Sequence, residues 1–383
     1  MNAFDQELTR WLAARDAEGM LRARRTVTRR DGVSVGIDGK EYVSFCSNDY
    51  LGLATDPAIR EAAAQAARDW GGGAGTSRLI SGDLAIVREL EDELAAWKGT
   101  EAALVFPTGY MANLGVLSAL VGREDTIVLD RLAHASLVDG ARLSGAKLLV
   151  FPHNDVGRLD AVLSTHARGR TIVATESIFS MDGDRAPLRP LVEACERHGA
   201  LLLVDEAHAL GVYGGGRGCV AEEGLTARVP LIIGTLSKAL GSQGGFVACA
   251  RAVVEYLVNN ARSFVYTTGI TPAAAGGALS AVRLLRADDA RIRQLWYNRA
   301  LLRTALADVP AGGDGPICPV IIGDAARAVA LSGGLFDAGW WVPAIRPPTV
   351  PQGTARLRIT VSAAHTGGQI SGMAAVLANL LSH

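Results

Sequence analysis

The sequence predicts an α/β fold: a large domain on a mostly parallel seven-stranded sheet flanked by helices, then a smaller α+β domain towards the C-terminus. Three observations carry this. Seven short runs are apolar and strand-like, and two of them, within Ala200–Val204 and Pro230–Ile233, are apolar without a break, the pattern of strands buried on both faces of a parallel sheet. Ala- and Leu-rich stretches of helical character separate those runs, as parallel crossovers require. Beyond about residue 285 the alternation stops and is replaced by a helix, two strands and a closing helix.

In chain order, Phe4, Leu8, Trp11 and Leu12 recur at helical spacing and predict an amphipathic N-terminal helix. Asp5, Glu7, Asp16 and Glu18 argue against an acid-poor transit peptide, and no secretory h-region precedes them. Arg22, Arg24, Arg25, Arg29 and Arg30 follow, mostly as a solvated basic face. Strands of the large domain are expected at 103–106, 126–129, 147–151, 171–175, 201–204, 231–233 and 246–250, and those of the small one at 317–322 and 355–361. This divides the chain into an N-terminal helical and extended segment (1–45), a large α/β domain (46–285) and a small α+β domain (286–383). The N-terminal helix is expected to join the small domain in space.

At 383 residues and 49% hydrophobic, the chain has ample material for a large core. Lys and Arg number 38 against 39 Asp and Glu, so no global basic field calls for nucleic acid. No apolar run approaches the roughly 20 residues that span a bilayer, which excludes an integral membrane protein. Cys46, Cys195, Cys219, Cys249 and Cys318 are odd in number and form no Cys-x-x-Cys, as expected of reduced thiols in a cytoplasmic protein.

The chemistry gathers where apolar runs end. Asp205-Glu-Ala-His208 follows one such run and Lys238, in Ile233-Gly-Thr-Leu-Ser-Lys-Ala-Leu-Gly241, follows another, so all three fall at the carboxyl edge of the sheet, where open α/β folds bind ligands. An amine, a carboxylate and an imidazole are what pyridoxal 5'-phosphate needs. The amine can form a Schiff base with its aldehyde, the carboxylate can keep its ring nitrogen protonated, and the imidazole can hydrogen-bond its phenolic oxygen. Phe106-Pro-Thr-Gly-Tyr-Met-Ala-Asn113 leads from a strand into a helix, so amides near Gly109 and Tyr110, with the hydroxyls of Thr108 and Thr235, suit a phosphate.

Other readings compete. Singly, Asp205 caps a helix, His208 fills the core and Lys238 is a surface amine. Asp-Glu-Ala-His also spells a helicase box, but no Gly-x-x-x-x-Gly-Lys-Ser/Thr loop accompanies it, and no Gly-x-Gly-x-x-Gly marks a dinucleotide site. Asp205, His208 and His134 as ligands of a divalent metal form a different mechanistic class, in which Lys238 has no role. A non-catalytic binding module is the remaining alternative.

Ser47-Asn-Asp-Tyr-Leu-Gly-Leu53, Gly75-Thr-Ser-Arg-Leu-Ile-Ser-Gly82, Asp130-Arg-Leu-Ala-His-Ala-Ser136, Glu176-Ser-Ile-Phe-Ser-Met-Asp-Gly-Asp184, Asp205-Glu-Ala-His208 and Thr235-Leu-Ser-Lys-Ala-Leu-Gly241 together resemble the motif series of the α-oxoamine synthases. These are fold type I, pyridoxal phosphate-dependent transferases that condense a small amino acid with an acyl thioester and release carbon dioxide. The resemblance implies that Lys238 holds the cofactor and removes the α-proton, that Asp205 pairs with the ring nitrogen and His208 with the ring oxygen, that His134 stacks on the ring, and that Ser180 lies at its polar edge. It assigns Gly109, Tyr110 and Thr235 to the phosphate, with Thr267 or Thr268 of a neighbouring subunit as a further contributor in a homodimer. Arg22, Asn48, His134 and Thr349 are expected at the substrate, with Arg358 or Arg346 clamping a carboxylate. Ala344-Ile-Arg-Pro-Pro-Thr-Val-Pro-Gln-Gly-Thr-Ala-Arg-Leu-Arg358 most resembles the biotin-pathway branch, which joins L-alanine to a pimeloyl thioester of coenzyme A or acyl carrier protein. Other branches use glycine with acetyl-CoA or succinyl-CoA, or serine with a long acyl chain. No metal, nucleic acid or membrane is expected.

Overall fold

A computed structural model of the chain describes residues 2–382. Its strands are β1 (Arg29–Asp31), β2 (Ser34–Ile37), β3 (Lys40–Ser44), β4 (Ala102–Phe106), β5 (Thr126–Asp130), β6 (Lys147–Phe151), β7 (Thr171–Glu176), β8 (Leu201–Asp205), β9 (Leu231–Thr235), β10 (Gly245–Cys249), β11 (Ile317–Gly323), β12 (Trp340–Trp341), β13 (Ala344–Ile345) and β14 (Ala355–Thr360). Seven of them form the central sheet in the order β4-β10-β9-β8-β7-β5-β6. Only β10 opposes its neighbours, pairing antiparallel with both β4 and β9. All seven expected strands are present, with ends shifted by at most two residues.

The unbroken apolar runs have a direct cause. Along β5, Ile127 and Leu129 enter one core and Val128 the other; along β8, Leu203 faces one layer while Leu202 and Val204 face its opposite. With helices on both faces, each position must be apolar, and each buried aliphatic side chain contributes about 2 kcal/mol. The edge strand β6 escapes this demand, and its Val150 is 48% exposed.

The C-terminal α+β unit packs the helices Ala325–Asp337 and Gly367–Leu381 with the antiparallel sheet β11-β14-β13. A further small sheet, β1-β2-β3-β12, joins residues near the N-terminus to Trp340 and Trp341. The periodicity misses this sheet because its strands are short and partly exposed. The N-terminal helix forms at Ala3–Ala17, fixed by a reciprocal capping box between Asn2 and Asp5, yet it buries no side chain; Phe4 is 64% and Trp11 56% exposed. Trp11, Leu12 and Arg15 instead flank a cavity of about 530 Å3 against Ala344–Thr349. No helix among the described residues is long and apolar enough to cross a membrane.

One turn governs where Lys238 can stand. After β9 the chain closes through Gly241 N–H to Lys238 O at 2.9 Å. Gly241 has φ +65°, and a Cβ there would overlap the backbone of Leu53 and Ala54. Gly241→Ala is therefore expected to destabilise the fold by roughly 2 kcal/mol or more, read as a lower urea midpoint; an unchanged midpoint would show that the turn relaxes freely.

Candidate active site

Five strand ends deliver the site. Beyond β4, Thr108 caps the helix Gly109–Leu120, its hydroxyl accepting from Met111 N–H. Beyond β5, His134 caps the helix Ala135–Ser144. Glu176 ends β7, Asp205 ends β8 in register beside it, and Lys238 stands three residues past β9. These residues line one cavity of about 210 Å3, with Tyr110, Asn113, Ser136, His208, Thr235 and Ser237. The hydroxyls of Thr235 and Ser237 lie 2.7 Å apart at the rim. A Cβ on Gly245 would overlap Gly109, so β10 can approach the Thr108–Gly109 turn only without a side chain.

The charged groups are tuned by burial. Lys238 Nζ lies 2.8 Å from His208 Nε2, and His208 Nδ1 lies 2.5 Å from Tyr50 Oη. Burial pushes the Lys238 amine down to about 8, against the opposing pull of Asp205 and Glu176. Burial, and then the charges of Lys238 and Arg358, push His208 well below its ordinary range, so its ring is neutral. His134 is likewise lowered by burial, with Asp205 partly opposing. Its Nδ1 accepts from Ser136 N–H at 3.2 Å, which assigns the proton to Nε2.

Asp205 is held, not free. Its Oδ1 accepts from Ala207 N–H at 2.9 Å and its Oδ2 from Asn113 Nδ2 at 2.7 Å. The same Asn113 amide donates to Ser136 Oγ at 2.9 Å, and Ser136 Oγ is 2.7 Å from His134 Nδ1, so one relay joins the carboxylate to the imidazole. The next residue, Glu206, turns away into a buried pair with Lys98 at 2.5 Å, which fixes the strand end. Glu176 is buried with Oε1 unpartnered; burial first, and Asp205 beside it second, raise its carboxyl well above the usual range.

The remaining expected residues fall in two further places. Arg358, 5% exposed, donates from Nε to Ser180 O at 2.6 Å, from Nη1 to Thr360 Oγ1 at 3.0 Å and from Nη2 to Asn48 Oδ1 at 3.2 Å. Those acceptors are all neutral. Arg356 is paired with Asp182. Arg346 donates to the carbonyls of Gly19 and Leu21 and, with Arg22 and Thr349, lines the 530 Å3 cavity rather than the one holding Lys238. Ser180 lies with Thr349 along a third cavity, of about 360 Å3. Among the described residues, no three of His, Cys, Asp and Glu gather as metal ligands, so Asp205, His208 and His134 do not form the alternative metal site.

Sequence reasoning passed over Asn113, Ser136, Glu176 and Tyr50. All four stand inside the motifs quoted above, but their roles depend on neighbours distant in the chain.

The donor set fits pyridoxal phosphate. A buried amine held partly neutral, a carboxylate at the cavity's base, a neutral imidazole and a helix N-terminus ringed by hydroxyls correspond in kind to its aldehyde, ring nitrogen, ring oxygen and phosphate. The family model of aminotransferase class I and II matches residues 40–377. An 8-amino-7-oxononanoate synthase from Anaeromyxobacter dehalogenans is 48% identical over 375 residues, covering 97% of this chain and 94% of that protein. Among solved structures, a serine palmitoyltransferase from S. paucimobilis with bound PLP-myriocin aldimine superposes with a TM-score of 0.93 at 30% identity over 100% of both chains. The 8-amino-7-oxononanoate synthase of Francisella tularensis gives 0.75 at 27% identity, over 89% of this chain and 98% of that one. The chain thus belongs to the aminotransferase class I and II family, within its α-oxoamine synthase branch.

Proposed function

We infer that this chain condenses L-alanine with a pimeloyl thioester, giving 8-amino-7-oxononanoate, carbon dioxide and a free thiol in biotin biosynthesis. The observation that carries this is the single cavity shared by Lys238, Asp205, His208 and His134, in a chain 48% identical over 97% of its length to an 8-amino-7-oxononanoate synthase. Pyridoxal phosphate, when bound, supplies an aldehyde for amine substrates and a protonated ring that accepts the electron pair left on an α-carbon. Lys238 holds it and, once released, takes the α-proton of L-alanine; burial favours the neutral amine this step needs. Asp205 keeps the ring nitrogen protonated, and His208 donates to the ring oxygen. His134, which lines the same cavity, would face the ring and offer Nε2–H to the ketone oxygen formed when alanine's α-carbon joins the acyl carbonyl. Gly109, Tyr110, Thr235 and Ser237 receive the phosphate.

Arg358 is the carboxylate clamp. It is buried with no acidic partner among the described residues, whereas Arg356 is neutralised by Asp182 and Arg346 is committed to two backbone carbonyls. Asn48 and Ser180 hold its guanidinium in place. The acyl chain runs through the 360 Å3 cavity between Ser180 and Thr349, and Arg22 lies beyond at the 530 Å3 cavity. A homodimer belongs to the same reading, with Ile80 and Tyr266 exposed at 79% and 73% for a second copy to cover.

The higher TM-score to serine palmitoyltransferase favours a second reading, with L-serine and a longer acyl chain. Sequence identity weighs the other way, 48% against 30%. A panel of amino acids and acyl thioesters scored by product mass decides. We expect kcat/KM for L-alanine with pimeloyl thioester to exceed L-serine with palmitoyl-CoA, and glycine with acetyl- or succinyl-CoA, by at least about tenfold. Slow turnover of glycine would not count against this, since one methyl changes discrimination by only about 1–3 kcal/mol. A preference for any other acyl chain would move the chain to another branch.

A further inference from the structure

His153, beyond the edge strand β6, touches no residue assigned above to cofactor or substrate. Its Nδ1 lies 2.9 Å from Asp130 Oδ1 and its Nε2 lies 2.8 Å from Asp184 Oδ2. Both ring nitrogens thus face carboxylate oxygens. A neutral ring would set a lone pair against one of them, so the ring carries both protons and a positive charge. Burial pulls the imidazole down, but the bonds to Asp130 and Asp184 outweigh it and hold it at about 10. The ring stands edge-on to Phe179, centroids 4.4 Å apart.

Each carboxylate belongs to a different wall of the site. Asp130 ends β5, and its Oδ1 also accepts from Leu132 N–H at 2.8 Å, which sets the turn leading to His134. Asp184 closes the hairpin that carries Ser180: Phe179 N–H donates to Asp184 O at 3.0 Å, and Gly183 N–H to Phe179 O at 2.8 Å. Asn154, at φ +57°, adds a donor to each side, from its N–H to Asp130 Oδ2 at 2.9 Å and from Nδ2 to Asp184 Oδ2 at 3.0 Å. The 360 Å3 cavity is lined from both walls, by Arg131–Ala133 and by Phe179–Asp182, together with Pro348–Pro351.

We propose that His153 is a positioning residue, an imidazolium strut that ties the turn delivering His134 to the hairpin delivering Ser180 and so fixes the width of the acyl-thioester cavity. The strut ties the end of β5 to a hairpin loop, and without it Asp130 keeps its bonds from Leu132 and Asn154 N–H, so its removal alters local geometry more than global stability. The proposal rests on the reading that the acyl chain enters between Ser180 and Thr349. A displacement of such walls by about 1 Å is enough to change turnover or binding by one or two orders of magnitude.

The test uses His153→Gln, which keeps reach and removes the charge, and Asp184→Asn, which leaves the ring and weakens one end. In the holoenzyme with pimeloyl-CoA, each is expected to raise the thioester KM about tenfold, while kcat and the KM for L-alanine stay within about threefold of wild type. In the chain without cofactor, hydrogen–deuterium exchange is expected to quicken at 130–136 and 178–185 and nowhere else. Folded variants with wild-type thioester KM and wild-type exchange would overturn the proposal, as would an equal loss across L-alanine, cofactor and thioester. Should His153→Gln fail to fold, Asp184→Asn decides alone. Inactivity of the wild-type enzyme towards the pimeloyl thioesters of both coenzyme A and acyl carrier protein would instead refute the substrate reading, with the exchange pattern still judging the strut.

Discussion

Lys238→Ala is expected to abolish covalent capture of pyridoxal phosphate and to lower turnover by about 10³-fold or more, because in the proposed mechanism this one residue is both the cofactor's anchor and the α-proton base. The chain holds only four lysines, which makes the assignment sharp. Lys40 and Lys147 are exposed, and Lys98 is buried against Glu206 on the far side of the Asp205–Glu206 strand end. Of the four, Lys238 alone lines the cavity, and burial pushes its amine down to about 8. Borohydride reduction of the holoenzyme followed by peptide mapping should therefore place the label on Lys238. The alanine variant should still bind cofactor weakly through Asp205, His208 and the Gly109–Tyr110 turn, seen as absorption that dialysis removes. A label on Lys40, Lys98 or Lys147, or turnover within about tenfold of wild type, would overturn the assignment.

What made this site legible was its placement at strand ends. Unbroken apolar runs before Asp205 and Lys238 put both at one edge of the sheet, and that edge is where the folded chain brings them together. The opposed direction of β10 was not legible, since an apolar strand reads alike in either orientation. Nor was the choice between Arg346 and Arg358, although Arg356 is expected outside the site. Arg356 and Arg358 stand two apart on one strand and face the same way, so only their partners distinguish them: Asp182 for one, and the neutral acceptors Ser180, Thr360 and Asn48 for the other. Glu176 opens a recognised motif, but its carboxyl is raised by burial first and by Asp205 across the strand pair second, facts of packing and register rather than of spacing. The exposed apolar stripe of the helix Ala3–Ala17 is likewise invisible to periodicity, which reports amphipathicity and not what covers it.

Asp205→Asn is expected to lower turnover by about 10²-fold or more while cofactor affinity falls far less, because the charge proposed to keep the ring nitrogen protonated is lost but the shape is kept. The hydrogen bonds suffer too. Asn113 Nδ2 now donates to Asp205 Oδ2; facing an amide nitrogen it must turn over, and it then gives up its bond to Ser136 and so to His134. Exchange of the L-alanine α-hydrogen with deuterated water, followed by proton NMR, isolates the step from the thioester, and it should slow in parallel with turnover. Near-normal exchange would mean that another group serves the ring nitrogen. Glu176 is the natural substitute, one strand away in register. Removing the Asp205 charge lowers the pKa of Glu176, yet burial, the larger of the two causes, remains, so Glu176 should stay protonated and offer no rescue. Adding Glu176→Gln to Asp205→Asn should accordingly change the rate by less than about threefold; a further tenfold fall would show that the Glu176 carboxylate had taken over the charge that Asp205 supplies.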